Sequence, residues 1–323
     1  MKLLVTGGAG FIGSNFILYL LEKYPGYYII NYDKLTYAGN LENLATIQEF
    51  NNYKFVQGDI LNKELVEFVV NTSEVDVIVN FAAESHVDRS ITNSSEFVTT
   101  NVLGTQILLE VAKKHSLRFI QISTDEVYGS LGTTGYFTED TPLSPNSPYS
   151  ASKASSDFLV RSYHETFGLN INITRCSNNY GPYQFPEKLI PLMIINAFKG
   201  KSLPVYGDGQ NIRDWLHVKD HCSAIDLVIH KGKSGEVYNI GGHNERTNIV
   251  IVEHILETLG VSKKLITFVP DRLGHDYRYA IDSSKIQSEL GWKPNYSFEE
   301  GIKETISWYL KNVDWWKKLT PDW

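Results

Sequence analysis

The sequence predicts an α/β fold: a doubly wound parallel sheet with a smaller, mostly C-terminal lobe. Three observations carry this expectation. Short apolar runs alternate with helical patterns along the first half, the first run breaks into a glycine loop, and the second closes on an aspartate. Leu3-Leu4-Val5 is the first strand and ends at Gly7-Gly8, and Phe16 to Leu21 has helical spacing. Tyr28 to Tyr32 is the second strand, ending at Asp33. Lys54 to Gln57 leads to Gly58-Asp59-Ile60, Asp76 to Phe81 leads to Ala82-Ala83, and Arg118 to Ile122 leads to Ser123-Thr124. Helical stretches from Glu64 to Asn71 and Val102 to His115 lie between them, long enough to serve as crossovers between parallel strands. Ligands of such sheets gather at the carboxyl ends of the strands, and every motif used below lies just past one.

Beyond about Tyr180 the pattern loosens at Pro182, Pro186, Pro191 and Pro204, although Val237 to Ile240 reads as one further strand. The expected division is a dinucleotide-binding domain over 1–180 and a lobe over 181–323 that mostly binds substrate, with some later segments returning to the first domain. Trp308, Trp315, Trp316 and Trp323 are read as packing surface. A net charge of -7 and a pI near 5.7 would repel a phosphate backbone, so no nucleic-acid partner is expected. Cys176 and Cys222 lack CxxC or His-flanked spacing, which points away from a disulfide framework and from a bound metal. The first apolar run is too short for a signal-peptide core, and no run reaches the roughly 18 apolar residues of a membrane span. A cytoplasmic location and no membrane partner are the resulting expectations.

Gly7, Gly10 and Gly13 follow a strand and open a helix, allowing a tight turn, close approach of a pyrophosphate and close helix packing, as in a Rossmann-like sheet. Asp33 lies 20 residues past Gly13, where a carboxylate can hold both hydroxyls of a ribose and repel a 2′-phosphate. NAD is therefore favoured over NADP, a preference that Lys34 weakens only slightly. Asp59-Ile60 suits an adenine, although an aspartate in that place also serves as a helix cap. Tyr149 and Lys153 fall one turn apart if a helix starts after Pro145 and Pro148, so the ammonium can lower the phenol pKa and reach a nicotinamide ribose. Asp125-Glu126 would be a cap in an ordinary loop. Directly after Thr124 at a strand end, it reads as an acid and a base.

The chain resembles the extended short-chain dehydrogenase/reductase family through Thr6 to Gly13, Asp59-Ile60, Phe81-Ala82-Ala83 and the Tyr149/Lys153 pair. Within it, Tyr32 to Asn40, Ala83 to Ser90, Thr124 to Gly129, Ser177 to Tyr183 and Pro186 to Pro191 are similar to the dTDP-glucose 4,6-dehydratases, nearly end to end. The resemblance implies an NAD-dependent homodimer that removes water from a nucleotide-linked glucose, commonly for rhamnose-type deoxysugar synthesis. The sugar's carbon 5 proton is not acidic until carbon 4 is a ketone, so oxidation must precede elimination. Tyr149 then takes the carbon 4 hydroxyl proton, with Thr124 on the same oxygen and Lys153 tuning the phenol. Glu126 removes the carbon 5 proton and Asp125 protonates the departing hydroxyl.

By the same resemblance Phe11, Ile12, Asp33, Lys34, Leu35, Thr36, Asp59, Ile60, Phe81, Ala82, Ala83, Glu84, Ser85, Thr100, Tyr149, Lys153 and Asn179 match coenzyme positions. Ser85, Thr124, Asn178, Lys188, Leu189, Pro204, Val205, Tyr206, Arg213, Asn248 and Asp271-Arg272-Leu273-Gly274-His275 match positions around the substrate. Lys188 and Arg213 suit a diphosphate. Leu273 stands where the family usually has proline, which bears on the rigidity of that loop. Three other readings compete: a nucleotide-sugar 4-epimerase, which has no use for Asp125-Glu126; a dehydratase of another nucleotide sugar; and a catalytically silent nucleotide sensor.

Overall fold

The structure is a computed structural model and describes residues 1–320; Trp323 lies outside the described residues. In chain order the first half runs β1 (Lys2–Thr6), α1 (Phe11–Lys23), β2 (Tyr28–Asp33), β3 (Tyr53–Gln57), α2 (Lys63–Ser73), β4 (Val77–Asn80), α3 (Val87–Thr92), α4 (Ser94–Phe97), α5 (Thr105–His115) and β5 (Arg118–Thr124). The second half runs α6 (Pro148–Phe167), β6 (Ile171–Cys176), β7 (Asn178–Tyr180), α7 (Leu189–Phe198), β8 (Leu203–Tyr206), β9 (Ile212–His217), α8 (Val218–Lys231), β10 (Val237–Ile240), β11 (Glu245–Thr247), α9 (Asn248–Leu259), β12 (Ile266–Val269), α10 (Ser284–Leu290), α11 (Phe298–Lys311) and α12 (Val313–Leu319).

Seven strands form one sheet in the order β10-β6-β5-β4-β1-β2-β3, and every pairing in it is parallel. The expected doubly wound sheet is therefore present. Its strands are apolar on both faces because helices cover both. Leu4, Ile30, Ile78 and Phe119 point to the side of α2, α5 and α6. Leu3, Val5, Ile29 and Val79 point to the side of α1 and α8. The chain winds outward from β1 through β2 to β3, then restarts at β4 on the other flank, so a crevice opens beyond the carboxyl ends of β1 and β4.

Beneath that crevice the three central strands are tied by buried side chains. Thr6 Oγ1 donates to Asn80 Oδ1 at 2.7 Å, and Asn80 Nδ2 donates to Gln121 Oε1 at 2.9 Å. Polar groups this deep persist only when paired, and the ladder pairs them across β1, β4 and β5.

The later segments return to this sheet. β10 pairs with β6, and α8 lies across α1 with Val218, Cys222, Ile225 and Ile229 in the same core as Phe16 and Ile17. The remaining elements enclose a separate apolar core of α7, α9 and α11 residues, into which Trp316 is sunk at 1% exposure. Trp308 and Trp315 pack edge-on around Tyr183, as the packing reading of these tryptophans requires. Cys176 and Cys222 are buried free thiols.

One local departure matters for the site. The helix expected from Val102 begins at Thr105, preceded by a π-helical turn over Val98–Gly104. Asn101 in that turn accepts from the Glu84 amide at 2.9 Å and donates to the Glu84 carbonyl at 3.0 Å, and Gly104 admits the Ile60 side chain where a Cβ would sit 2.4 Å from it. Wide turns of this kind bend a helix toward a site, and this one sets Thr100 at the crevice wall.

Candidate active site

A cleft of about 340 Å³ occupies the crevice. Its floor is the glycine loop. Gly7 has φ +68°, and a Cβ there would meet Ala82 N at 2.6 Å, while a Cβ on Gly13 would meet Gly7 O at 2.4 Å. The loop is thus pressed against the exit of β4, and α1 against the loop. Gly10 is the N-cap of α1, and among the described residues no side chain caps its first-turn amides, which leaves them to an anion.

Asp33 closes β2 with Oδ2 on the Ala9 amide at 2.9 Å and Oδ1 on the Leu35 amide at 2.8 Å. Burial raises its pKa and these amides oppose the rise. Each carboxylate oxygen keeps acceptor capacity for a ribose hydroxyl. Leu35 takes the left-handed φ of +58° and shapes the turn, while its neighbours Lys34 and Thr36 face the cleft. Lys34 pairs with Asp59 at 2.7 Å. Capping of α2 falls to Asn62, which accepts from the Leu65 amide, so Asp59 is free of the helix-cap role. Ile60, Phe81, Ala82, Ala83, Glu84, Ser85 and Thr100 complete the walls with Phe11 and Ile12. An uncapped helix start, two glycines with no room for a side chain and a fixed carboxylate at the second strand form a cradle that fits a dinucleotide.

The side chains expected to react stand at the inner end. β5 runs to Thr124, whose hydroxyl accepts from the Glu126 amide at 3.3 Å and so caps the single 3-10 turn Asp125–Tyr128. Pro148 opens α6 at its first position, and Ser147 and Ser150 form a reciprocal capping box, which places Tyr149 in the first turn and Lys153 one turn deeper. The Thr124 hydroxyl acts to lower the pKa of the Tyr149 phenol and donates to Asp125 Oδ1 at 3.4 Å.

Lys153 departs from expectation. Its ammonium donates to the Ile122 carbonyl at 2.7 Å, and burial lowers its pKa against the opposing charge of Asp157. Burial, with Glu126 and Cys176, pushes Tyr149 well above the ordinary tyrosine value.

The acid pair is asymmetric. Asp125 is 2% exposed, and burial, the neighbouring Glu126 and then Asp214 hold its carboxyl well above the carboxylate range, opposed by Arg213 and Thr124. Asp125 Oδ2 has no hydrogen-bond partner among the described residues. Glu126 is also raised by burial, but Arg213, Lys188 and Arg272 all act to lower it. The arrangement favours a protonated Asp125 beside an ionised Glu126.

Asn178, Asn179 and Lys188 line the same cleft, with Lys188 donating to the Ser85 carbonyl at 3.1 Å. Ser85 and Thr124 line it too, and the remaining residues expected around a substrate lie outside that lining. Arg213 spends part of its fork on the carbonyls of Ile212 at 2.7 Å and Asp276 at 2.9 Å and lies over the Tyr279 ring at 4.4 Å. Arg272 grips Asp88 with two bonds of 2.7 and 3.0 Å and sits over Tyr206 at 5.3 Å, while His275 pairs with Asp271 at 2.6 Å and packs on the same tyrosine. Leu189 opens α7, and Asn248 opens α9 with a buried Oδ1 that has no partner among the described residues.

β8 alternates, so Pro204 and Tyr206 face out while Val205 is sunk in the lobe core at 1% exposure. The Val205 side chain therefore packs into the lobe, which leaves its backbone as the part that could meet a ligand. Leu273 projects from its loop at 75% exposure, and Gly274 supplies the turn with φ +64°.

The sequence reading assigned no role to Tyr37, Arg89 or Glu187. Arg89 of α3 stacks 3.5 Å above the Tyr37 ring and reaches Glu187 at 3.3 Å, tying that helix to the two loops from which Tyr37 and Glu187 line the cleft. Tyr37 and Glu187 stand in loops and Arg89 on a short helix, and only their presence inside the quoted motif segments could have signalled them.

Asp125 makes stability depend on pH. Its folded pKa exceeds the unfolded value of 3.8, so the folded chain holds an extra proton; this contribution is full below 3.8 and is lost as pH rises through the raised value. The slope is at most about 1.4 kcal/mol per pH unit for one group. Asp125→Asn removes it, so between about pH 4 and 7 the variant's melting temperature should fall less with rising pH than that of the parent chain. Parallel curves would contradict the account.

Residues 4–305 match a family profile described as GDP-mannose 4,6 dehydratase. The dTDP-glucose 4,6-dehydratase of Streptomyces niveus is 52% identical over 328 aligned residues, covering 100% of this chain and 97% of that protein. Among solved structures, the dTDP-glucose 4,6-dehydratase of Bacillus anthracis in complex with NAD is 59% identical, with 99% of each chain covered and a TM-score of 0.94. That of Streptomyces venezuelae, solved with NAD and a second ligand, is 51% identical over 99% of this chain and 100% of its own, at a TM-score of 0.96. The UDP-glucose 4-epimerase of Thermotoga maritima shares the fold at a TM-score of 0.90 over 97% of this chain and 100% of its own, but only 30% identity. On the strength of these matches and of the Thr124-Asp125-Glu126 and Tyr149/Lys153 geometry, the chain belongs to the dTDP-glucose 4,6-dehydratase family.

Proposed function

We propose that the protein converts dTDP-glucose to dTDP-4-keto-6-deoxyglucose by oxidation at carbon 4, loss of water across carbons 5 and 6, and reduction at carbon 6. The observation that carries this reading is a buried Asp125 next to a half-buried Glu126 in unequal surroundings, beside the Tyr149 phenol. An epimerase needs the phenol and not the pair.

The glycine loop and Asp33 would hold NAD, which when bound supplies the electron-pair acceptor for carbon 4 and the donor for carbon 6. Tyr149 takes the carbon 4 hydroxyl proton while Thr124 hydrogen-bonds the same oxygen. Lys153 favours the phenolate by turning its ammonium from the Ile122 carbonyl toward the ring, one helical turn away. With a ketone at carbon 4, the carbon 5 proton becomes acidic and the ionised Glu126 removes it. Asp125 keeps its proton in the dry end of the cleft and gives it to the departing carbon 6 hydroxyl, which leaves as water. Glu126 then returns its proton to carbon 5. Lys188 and Arg213 hold the diphosphate, and the outward face of β8 with the 271–275 loop borders the rest of the nucleotide. The division into a coenzyme domain over 1–180 and a mostly substrate-binding lobe over 181–323 is part of the same reading.

The working form is proposed to be a homodimer. The π-helical turn and α6 pack together yet leave Val98, Leu103 and Phe158 exposed at 56%, 49% and 59%, an apolar face suited to a second copy. Sedimentation of a monomer at working concentration would refute it. No described helix is long and apolar enough to cross a membrane, and a cytoplasmic place in rhamnose-type deoxysugar supply follows from the family resemblance. Fractionation of cells, with the chain recovered among membranes, would refute that location.

Incubation with dTDP-glucose and no added coenzyme is expected to yield the 4-keto-6-deoxy sugar; formation of dTDP-galactose would support the epimerase instead. Glu126→Gln should slow loss of water by about 10²–10⁴-fold while reduced coenzyme builds up on the enzyme. If none builds up, Glu126 is not confined to elimination.

A further inference from the structure

The acids and the phenol reach the cleft on different elements, and a buried polar strut joins those elements from behind. Tyr128 ends the 3-10 turn that carries Asp125 and Glu126 and is 3% exposed. Arg175 Nη1 on β6 donates to its hydroxyl at 2.9 Å, and that hydroxyl donates to Asn239 Oδ1 on β10 at 2.8 Å. Arg175 Nε also donates to Asp157 at 2.9 Å. Asp157 lies on α6, eight residues past Tyr149 and four past Lys153, on the same helix face. Arg175 and Asn239 are register partners in the sheet, so the strut's two supports are fixed to each other by the backbone. The Tyr128 ring is clamped as well, stacked on Phe137 at 5.0 Å with the Arg175 guanidinium 4.9 Å over it.

Given the function proposed above, on which this step rests, we infer that Tyr128 is a positioning residue: its hydroxyl fixes the acid pair relative to the Tyr149/Lys153 helix. Loss of the hydroxyl removes the polar tie at the far end of the turn and leaves it held by Thr124, by the Ser144 amide on the Val127 carbonyl at 3.0 Å and by the ring contacts, which permits a small shift of the acids. The bond from Arg175 to Asp157 stays, so Tyr149 and Lys153 keep their place. Elimination should therefore suffer more than oxidation. A displacement on the order of 1 Å at a reacting group costs about 10²-fold in rate.

Tyr128→Phe keeps both ring contacts and removes only the hydroxyl. In the holoenzyme supplied with dTDP-glucose, turnover should fall roughly 10- to 100-fold, while the steady-state fraction of enzyme carrying reduced coenzyme rises several-fold. A merely structural role would lower the active fraction and leave that ratio unmoved. Asn239→Ala, which takes away the acceptor, should show the same rise, and the double variant should be no slower than the slower single one. Hydrogen exchange of the protein alone should quicken over residues 125–129 in Tyr128→Phe and not over 149–153. Absence of keto sugar from the parent enzyme would overturn the functional reading itself. An active parent whose reduced-coenzyme fraction matches that of both single variants would overturn the role of Tyr128.

Discussion

Two carboxyls on consecutive residues, Asp125 buried and Glu126 half-buried beside it, cannot both carry charge without a penalty, and the chemistry proposed at the end of β5 depends on how that conflict is settled. Asp214 adds a like charge near Asp125, while Lys188, Arg213 and Arg272 oppose the rise of Glu126. The proton is driven to one member of the pair by surroundings that come from outside the turn. An acid and a base can then stand side by side at one pH, which is what removal of water from neighbouring carbons demands.

The fold supplies the geometry for this. The switch in strand order at β1 and β4 opens the crevice, the buried ladder from Thr6 through Asn80 to Gln121 holds its base, and the glycine loop brings α1 close enough to offer its amides. The groups proposed to be catalytic enter from the end of β5 and from α6, and cations from beyond residue 180 lie near them. The return of α8 and β10 to the large sheet anchors those later segments beside it, while the charges that divide the acids come from β9 and from the loops holding Lys188 and Arg272.

Much of this was legible in the chain, and the reason is local. Strands buried on both faces read as apolar runs, the glycine loop and Asp33 mark the first crossover, and Pro148 announces the start of α6. Contacts between distant segments leave no such trace. Nothing near Lys153 foretold its bond to the Ile122 carbonyl, made across 31 residues, nor the stacking of Arg89 on Tyr37 beside Glu187. Val205 was placed beside a ligand by resemblance alone, and the alternation of β8 turns its side chain into the core. The π-helical turn before α5 was missed because its cause, Asn101 bonding back to Glu84, is a side-chain interaction that helical periodicity does not encode.

The central claim is that Asp125 keeps its proton at a pH where Glu126 has lost its own. Carbon-13 titration of the two carboxyls by NMR in the holoenzyme tests it directly. The account predicts that Glu126 titrates first as pH is raised and Asp125 well after it. Titration in the opposite order, or of both within the ordinary carboxylate range, would contradict it.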